Sequence, residues 1–251
     1  MLDATYAAEA AIEETHWWFV GRRRLFRREL LRTGLAESSR CLDVGTSTGA
    51  NLRLLRDLGC RRVVGLEPSA AAIRFCESKG LGPVRLGDIC GMPFPDATFD
   101  LVLATDVIEH VEDDRRALEE IHRVLVPGGY VLLTVPAFKS LWGLQDEVSL
   151  HKRRYGIADL LERVEDARLL RTHAFYFNYM LFGPIWCARR LMRILGSEVA
   201  SEGQVNTPAL NAVLSAVFTL DVWTAPYIRP PFGVSILVLA QKTRPGERRD
   251  G

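Results

Sequence analysis

The residues best suited to chemistry follow three apolar segments of the chain. Gly45 and Gly49, in DVGTSTG, permit a tight turn and a close approach of the backbone to a ligand, and the helical segment behind them offers unpaired N–H groups to an anion. Glu67 follows eighteen residues after Gly49, where a carboxylate can bind both hydroxyls of a ribose. Asp88, after the next apolar segment, can accept a hydrogen bond from an adenine amine. The three loops together predict a nucleoside site, and GTSTGA lacks the second and third glycines of a dinucleotide motif.

These loops need a parallel sheet to bring them together. Apolar runs of four to seven residues alternate with amphipathic segments of ten to fifteen, the pattern of βαβ units with helices on both faces. The predicted fold is a doubly wound, Rossmann-like α/β sheet whose ligand lies over the carboxyl ends of the strands. The predicted organisation is a helical cover over 1–38, an α/β core over 39–177, a helical insertion over 178–223, the final strand over 224–243 and a disordered tail over 244–251.

The composition is that of an ordinary globular chain. Its 251 residues are 48% hydrophobic and 25% charged, and the net charge of +1 provides no strong field to attract nucleic acid. Five cysteines without metal-ligand spacing favour a reducing compartment. The acidic N-terminus argues against a signal peptide, and the apolar stretches at 174–188 and 209–220 are too short or too polar to span a bilayer. We therefore expect a cytoplasmic protein, with membrane association left open.

Residues 40–138 resemble the class I S-adenosylmethionine-dependent methyltransferases, motif by motif and in order. LDVGTSTG resembles the glycine-rich first motif, VVGLEPS the acidic second, GD the adenine-side acid, FDLVLATDVIEHVED the fourth and LVPGGYVLLTVP the fifth strand. One departure is Ser47, where the family usually has glycine. The resemblance implies S-adenosylmethionine as methyl donor, S-adenosylhomocysteine as product, and a seven-stranded sheet whose antiparallel last strand is FGVSILVLAQK. The implied cofactor contacts are Asp43, Gly45, Thr46, Ser47, Gly49, Asn51, Glu67, Pro68, Asp88, Ile89, Thr105, Asp106 and His110.

Two histidines are the candidate bases, because both lie in loops expected at the carboxyl end of the sheet. His110 follows the fourth strand, and His151 lies in the loop after the fifth. A neutral imidazole is a suitable base for a hydroxyl nucleophile, and we favour His151 because its loop varies with substrate. His110 can instead pack against the cofactor. Quinone and small-RNA methyltransferases hold Mg²⁺ on a similar Glu-x-x-Glu-His element, but here the first acid is Asp106, and no metal is expected.

Aromatic and basic residues in two segments are the candidate substrate contacts. Two adjacent tryptophans near the N-terminus either pack against the sheet edge, which is slightly favoured, or form a lid over substrate. An arginine run follows them and can grip an anion, and HKRRY resembles a segment that borders the pocket in related bacterial enzymes. The predicted contacts are Trp17, Trp18, Arg22, Arg153, Arg154 and Tyr155.

The late helical segments, with Leu210, Val213, Leu214 and Val217 on one stripe, have three interpretations. A cap on the fold is favoured over a homodimer interface and over peripheral membrane contact through 178–220.

The predicted function is methyl transfer from S-adenosylmethionine to a small-molecule, lipid-linked or glycan-linked acceptor, with a hydroxyl oxygen favoured. Transfer to nitrogen or carbon, and metal-assisted O-methylation of the quinone type, stay open. A nicotinamide oxidoreductase is disfavoured by the missing glycine motif, and a non-catalytic cofactor-binding protein would require a pocket closed to any acceptor. No nucleic-acid partner is expected.

Overall fold

We analysed a computed structural model that describes residues 3–195 and 207–244. The predicted disordered tail and most of the polar link between the late helices lie outside the described residues. The helices are α1 Asp3–Ile12, α2 Trp17–Leu31, α3 Ala50–Asp57, α4 Ala70–Ser78, α5 Asp114–Val124, α6 Leu144–Val148, α7 Ile157–Asp166, α8 Phe182–Leu195 and α9 Pro208–Ile228. The strands are β1 Arg40–Val44, β2 Arg62–Glu67, β3 Val84–Leu86, β4 Phe99–Thr105, β5 Leu125–Pro136, β6 Leu169–Phe177 and β7 Ser235–Lys242.

The strands form one seven-stranded sheet in the order β3-β2-β1-β4-β5-β7-β6. β7 is antiparallel to both of its neighbours, and the pairs from β3 to β5 are parallel. The predicted doubly wound sheet with an antiparallel last strand is therefore confirmed. In register, Val44 pairs with Leu66 on one side and with Ala104 on the other, so the loops after β1, β2 and β4 begin at the same edge. The strand order reverses between β1 and β4, which is where open α/β sheets bind ligands.

Alternate residues of the strands supply two apolar layers, one on each face of the sheet. Val102 and Ala104 of β4 pack into the layer under α5 and α7, whereas Leu101 and Leu103 pack into the layer under α2, α3 and α9. This period of two on a strand that is buried on both faces explains why FDLVLAT reads as a nearly continuous apolar run.

Helices α2 and α9 pack closely because Gly21 has no side chain. A Cβ at Gly21 would collide with the ring of Phe218. That ring is fully buried, stacks with Trp18 at a centroid distance of 5.3 Å and meets Trp17 edge-on at 5.2 Å. The two tryptophans therefore pack between the late insertion and the sheet, as the favoured sequence interpretation has it.

β5 begins at Leu125, directly after α5, and continues through Gly128 and Gly129. The pairing of β4 with β5 reaches this point because Phe99 pairs with Leu125 and Thr98 N–H donates to the carbonyl of Val124. The second insertion helix continues to Ile228, past the expected boundary at 223.

We expect Phe218→Ala to lower the free energy of unfolding by about 3–5 kcal/mol, because truncation leaves a cavity among buried aromatic rings. Urea unfolding followed by circular dichroism measures the loss. The matched control is Val213→Ala on the same helix, where the side chain is 61% exposed and the expected change is within about 0.5 kcal/mol. Equal losses for the two variants would show that α9 does not brace the fold through Phe218.

Candidate active site at the carboxyl edge of the sheet

The glycine loop after β1 has the conformation that its composition predicts. Gly45 and Gly49 have φ of +68° and +92°, a region that glycine adopts without a steric penalty. A Cβ on Gly45 would lie 2.6 Å from Cγ2 of Val107, so the loop approaches the β4 loop too closely for any side chain there. Ser47 also has a left-handed backbone, with φ of +48°. This backbone conformation favours glycine, which is the residue that the family resemblance implies at this position.

Glu67 lies at the end of β2 against this loop. Its Oε2 accepts from Ser47 N–H at 2.9 Å, and its Oε1 accepts from Ser69 N–H at 3.1 Å. The side chain of Tyr6 also donates to it, and burial raises the pKa of the carboxyl. The predicted acid therefore lies beside the glycine loop, with both oxygens at the edge where the ligand is expected.

Asp43 lies near the carboxyl end of β1, paired in register with Leu103 of β4 and Gly65 of β2. Its Oδ1 accepts from Asn51 Nδ2 at 3.1 Å, and the same amide donates to Thr105 Oγ1 at 2.9 Å. Its Oδ2 is buried and has no hydrogen-bond partner among the described residues. Burial, together with the charge of Glu67, raises the pKa of Asp43 to about 7. A buried acceptor without a partner is costly unless a ligand supplies a donor.

The β4 loop brings Asp106 to the N-terminal helices. Asp106 has φ of +54°, and its Oδ1 accepts from Thr134 Oγ1 at 3.0 Å. Its Oδ2 pairs with Arg22 at 2.6 Å. The guanidinium of Arg22 also lies over the rings of Trp18 and Phe26, at 5.2 and 5.1 Å. Of the predicted substrate contacts, Arg22 is the one that the structure places beside a predicted cofactor residue.

His110 and His151 come together although forty-one residues separate them in sequence. Their ring centroids are 4.6 Å apart. His151 Nδ1 is 2.8 Å from Asp146 Oδ1, and Arg154 Nε is 2.7 Å from the same oxygen. The tautomer of His151 that carries its proton on Nδ1 donates it to this carboxylate and has its lone pair on Nε2. Burial and the neighbouring His151 lower the pKa of His110 to about 4, so its ring is neutral at pH 7.

Glu109 completes this cluster. Its side chain is fully buried, and neither carboxylate oxygen has a hydrogen-bond partner from another described residue. Burial, reinforced by the charge of Asp106, raises the pKa of Glu109 well above its usual range. Ligand atoms of Glu109, His110 and His151 lie within 4.8 Å of one another, so this group of described residues could hold a divalent cation. Two imidazoles and a carboxylate suit Zn²⁺ or Fe²⁺ better than Mg²⁺.

Most of the other predicted residues lie at the same edge of the sheet, and their side chains form hydrogen bonds within their own loops. Thr46 Oγ1 donates to the carbonyl of Asp43 at 3.0 Å. Asp88 Oδ1 accepts from Cys90 N–H at 2.6 Å and caps a short 3-10 turn that begins with the buried Ile89. Pro68 is exposed just before α4, whose N-cap is the expected Ser69.

The HKRRY segment is held together by buried ion pairs, which changes the roles expected for three of its residues. Arg154 is buried and pairs with Asp146, and Arg153 pairs with Asp114 at 3.0 Å. The hydroxyl of Tyr155 donates to the same Asp114 at 2.8 Å, in the interior. The structure therefore gives Arg153, Arg154 and Tyr155 partners within the fold and does not bring them to Arg22. Trp17 and Trp18 are half-buried and pack against Phe218, and Trp18 also stacks on Phe177.

Helix α1 contributes groups that the sequence interpretation missed. Glu9 Oε2 accepts from Ser47 Oγ at 2.9 Å, and Glu13 accepts from Thr48 Oγ1. Glu13 also pairs with Lys79 at 2.6 Å. The available signal was the spacing of four residues between Glu9 and Glu13, which places both acids on one helical face. Asp146, which orients His151, could not be found from the sequence, because no sequence motif links an acid at this position to the histidine.

Comparison with known proteins decides the family. A family model described as "Methyltransferase domain" matches residues 42–133. A malonyl-[acyl-carrier protein] O-methyltransferase from Pseudescherichia vulneris is 32% identical over 186 residues, which cover 71% of this chain and 73% of the relative. The chain belongs to the class I S-adenosylmethionine-dependent methyltransferases. A Mycolicibacterium smegmatis relative, described as a probable S-adenosylmethionine-dependent methyltransferase, is 30% identical, and the match spans 62% of this chain but 60% of the relative's length.

Solved structures agree with this family in fold. A methyltransferase structure, from a complex with the Haloferax volcanii Trm112 methyltransferase activator, superposes with a TM-score of 0.66 at 21% identity and covers 98% of this chain and 97% of its own. The family's cofactor is S-adenosylmethionine. Three features of the site fit this molecule. Asp43 has a buried oxygen without a partner among the described residues, which can accept from a donor of the cofactor. Gly45 has no side chain to block a close approach, and the two oxygens of Glu67 can accept from the ribose hydroxyls.

We expect Glu67→Ala to weaken binding of S-adenosylhomocysteine by about 1.5–3 kcal/mol, the cost of losing hydrogen bonds to a charged group. Isothermal titration calorimetry measures the dissociation constant. The matched control is Glu77→Ala, an exposed acid on α4 that should leave affinity unchanged. Unchanged affinity in the Glu67 variant would remove this residue from the site, and saturable binding of NAD would favour an oxidoreductase.

Asp43→Asn should change how stability depends on pH. Between the unfolded pKa of 3.8 and the folded pKa of about 7, Asp43 takes up a proton on folding, so its contribution to stability falls as pH rises through this window. The asparagine has no such charge and keeps an acceptor for Asn51. We expect the variant to gain stability relative to the parent chain from pH 4 to pH 7 and to bind cofactor more weakly. Parallel pH curves from urea unfolding would contradict the raised pKa.

Proposed function

We propose that the chain transfers a methyl group from S-adenosylmethionine to a hydroxyl oxygen of a small-molecule, lipid-linked or glycan-linked acceptor. The observation that carries the proposal is the imidazole of His151, held by Asp146 beside His110 at the carboxyl edge of the sheet. The relative from Pseudescherichia vulneris, whose name specifies O-methylation, supports oxygen as the accepting atom.

The cofactor would be held by Asp43, Glu67 and the backbone of the glycine loop. When bound, it supplies a methyl group on a sulfonium, a carbon already activated for in-line displacement. The protein then has to align the acceptor and remove its proton. We assign the hydroxyl proton to Nε2 of His151. The acceptor oxygen would form the new bond to the methyl carbon as the bond from that carbon to the sulfonium sulfur breaks, which leaves S-adenosylhomocysteine. The carboxylate of Asp146 stabilises the resulting imidazolium, and Arg154 fixes that carboxylate in place.

His110 is assigned to the cofactor side of the site. Its pKa near 4 makes it a poor base at physiological pH, because a base so weak gains little by taking a proton. Its ring instead forms one wall beside His151. We therefore assign His151 to the acceptor and His110 to the cofactor, which is the division of roles proposed from the sequence.

Metal-assisted O-methylation is a second candidate, favoured by the unpaired, buried carboxylate of Glu109. A divalent cation on Glu109, His110 and His151 would lower the pKa of a bound hydroxyl and leave no lone pair on His151 to accept a proton. The two candidates therefore differ in their response to a chelator. Full activity in EDTA supports His151 as base, and loss of activity that Zn²⁺ or Mn²⁺ restores supports the metal.

The acceptor can be found by labelling. Purified chain is incubated with tritium-labelled S-adenosylmethionine and separate aqueous and lipid extracts of host cells, and the labelled product is identified by mass spectrometry. We expect an ether or ester methyl group. A product methylated on nitrogen or carbon would overturn the hydroxyl assignment, and no transfer with intact cofactor binding would indicate a non-catalytic binding protein.

With the identified acceptor, His151→Ala should lower kcat by roughly a hundredfold, in line with the contribution of a positioned general base. Affinity for S-adenosylhomocysteine should be preserved. His110→Ala should weaken cofactor binding as well, and His122→Ala, on α5, is the matched control. Near-normal turnover of the His151 variant would leave positioning of the acceptor as the mechanism.

A further inference from the structure

Helix α9 carries an apolar stripe that faces away from the fold. The stripe consists of Val213, Leu220, Trp223, Tyr227 and Ile228, and each of these side chains is at least 51% exposed. The spacing from Val213 to Tyr227 keeps these residues on one face of the helix. Soluble monomers seldom expose so many large apolar side chains together, and such a patch usually marks an interaction surface.

The opposite face of α9 is fixed in the protein. Phe218, Val222 and Ala225 are buried against the sheet and α2, and the buried Asp221 accepts N–H donors from Asn178 and Met180 at 2.7 and 2.8 Å. α9 is the one described helix long and apolar enough to cross a membrane, with 21 residues and a mean hydropathy of 1.2. Its contacts through Asp221 keep it in the fold, so the exposed stripe can lie on a surface but cannot cross a bilayer.

Arginines flank the stripe. Arg24 donates to Thr219 Oγ1 at 2.8 Å, and Arg28 donates to the carbonyl of Trp223 at 3.2 Å, which places two guanidinium groups of α2 beside the helix. Arg229, exposed, follows the last turn of α9. The helix has one acid, Asp221, and this side chain is buried. The exposed surface of α9 thus combines apolar and aromatic groups with positive charge.

We propose that the apolar stripe of α9 docks on an anionic membrane surface. Trp223 and Tyr227 have the amphipathic rings that settle at the boundary between headgroups and acyl chains, and the arginines pair with lipid phosphates. A second copy of the chain would also cover the stripe. A symmetric dimer would, however, bring together two copies of the same arginine-flanked face, on which Arg24 and Arg229 are exposed, and like charges oppose such a contact. The anionic membrane is therefore the favoured occupant.

Vesicle co-sedimentation tests this docking surface directly. We expect the full chain to sediment with vesicles of phosphatidylcholine and phosphatidylglycerol, and much less with vesicles of phosphatidylcholine alone. Trp223→Ala with Tyr227→Ala should lower the partition coefficient by tenfold or more, because two buried aromatic rings are lost from the interface. The matched control pairs Leu86→Ala with Leu170→Ala, two exposed leucines outside α9.

Charge is tested by a second pair of variants. Arg24→Glu with Arg229→Glu should abolish the preference for anionic vesicles, whereas Arg61→Glu with Arg62→Glu, the same charge change at exposed residues at the start of β2, should preserve it. Binding of S-adenosylhomocysteine is measured for every variant and should stay unchanged, which shows that each is folded.

Equal binding to neutral and anionic vesicles, or none to either, would overturn the proposal. A lipid-independent dimer that the aromatic variants dissociate would assign the stripe to a second copy instead. The proposal stands apart from the methylation chemistry, since activity on a detergent-solubilised acceptor is expected to survive the aromatic variants.

Discussion

The arrangement of the site depends on a buried carboxylate at the point where the strand order reverses. Asp43 is a residue of β1 that pairs in register with Gly65 of β2 and Leu103 of β4, so its carboxyl lies where the strand order reverses. Asn51 donates to one of its oxygens, and the other has no partner among the described residues. Glu67, one strand away, is also buried, but both of its oxygens accept backbone N–H donors. The protein thus carries two buried acids in a groove at the carboxyl edge of the sheet, at a cost in stability that a ligand with hydroxyls and a positive charge can offset.

The remaining elements hold this groove in shape from outside the sheet. Arg22 reaches Asp106 from α2, and α2 is itself held in place by Phe218 of α9 through the close approach at Gly21. The late insertion is therefore coupled to the active site, and Arg189 of α8 also lies 4.0 Å from the carboxylate of Asp146. The same helix that braces the site on one face presents the apolar stripe on the other. An acceptor carried on a lipid would be brought to the protein on the side where α2 and α9 meet.

The sequence was a good guide where a local rule decides the outcome. The glycine loop and the acid after β2 follow from short patterns in which the backbone conformation or the strand end fixes the side chain, and the antiparallel last strand follows from the family resemblance. It was a poor guide where distant segments meet. The pairing of His151 with Asp146 and Arg154, the unpaired carboxylate of Glu109 and the contacts of Glu9 and Glu13 with the glycine loop come from tertiary packing. Arg153 and Tyr155 illustrate the same point. Their basic segment suggests a binding loop, but in the structure both side chains contact Asp114, which is distant in sequence.

The central claim is that the groove between β1 and β4 binds S-adenosylmethionine in front of His151. A crystal structure of the full chain with S-adenosylhomocysteine tests it most directly. We expect the ribose hydroxyls on the carboxylate of Glu67, the amino acid moiety against the glycine loop, and the sulfur facing the side of the groove where His110 and His151 meet. A cofactor bound elsewhere, or one whose sulfur points away from both histidines, would contradict the account.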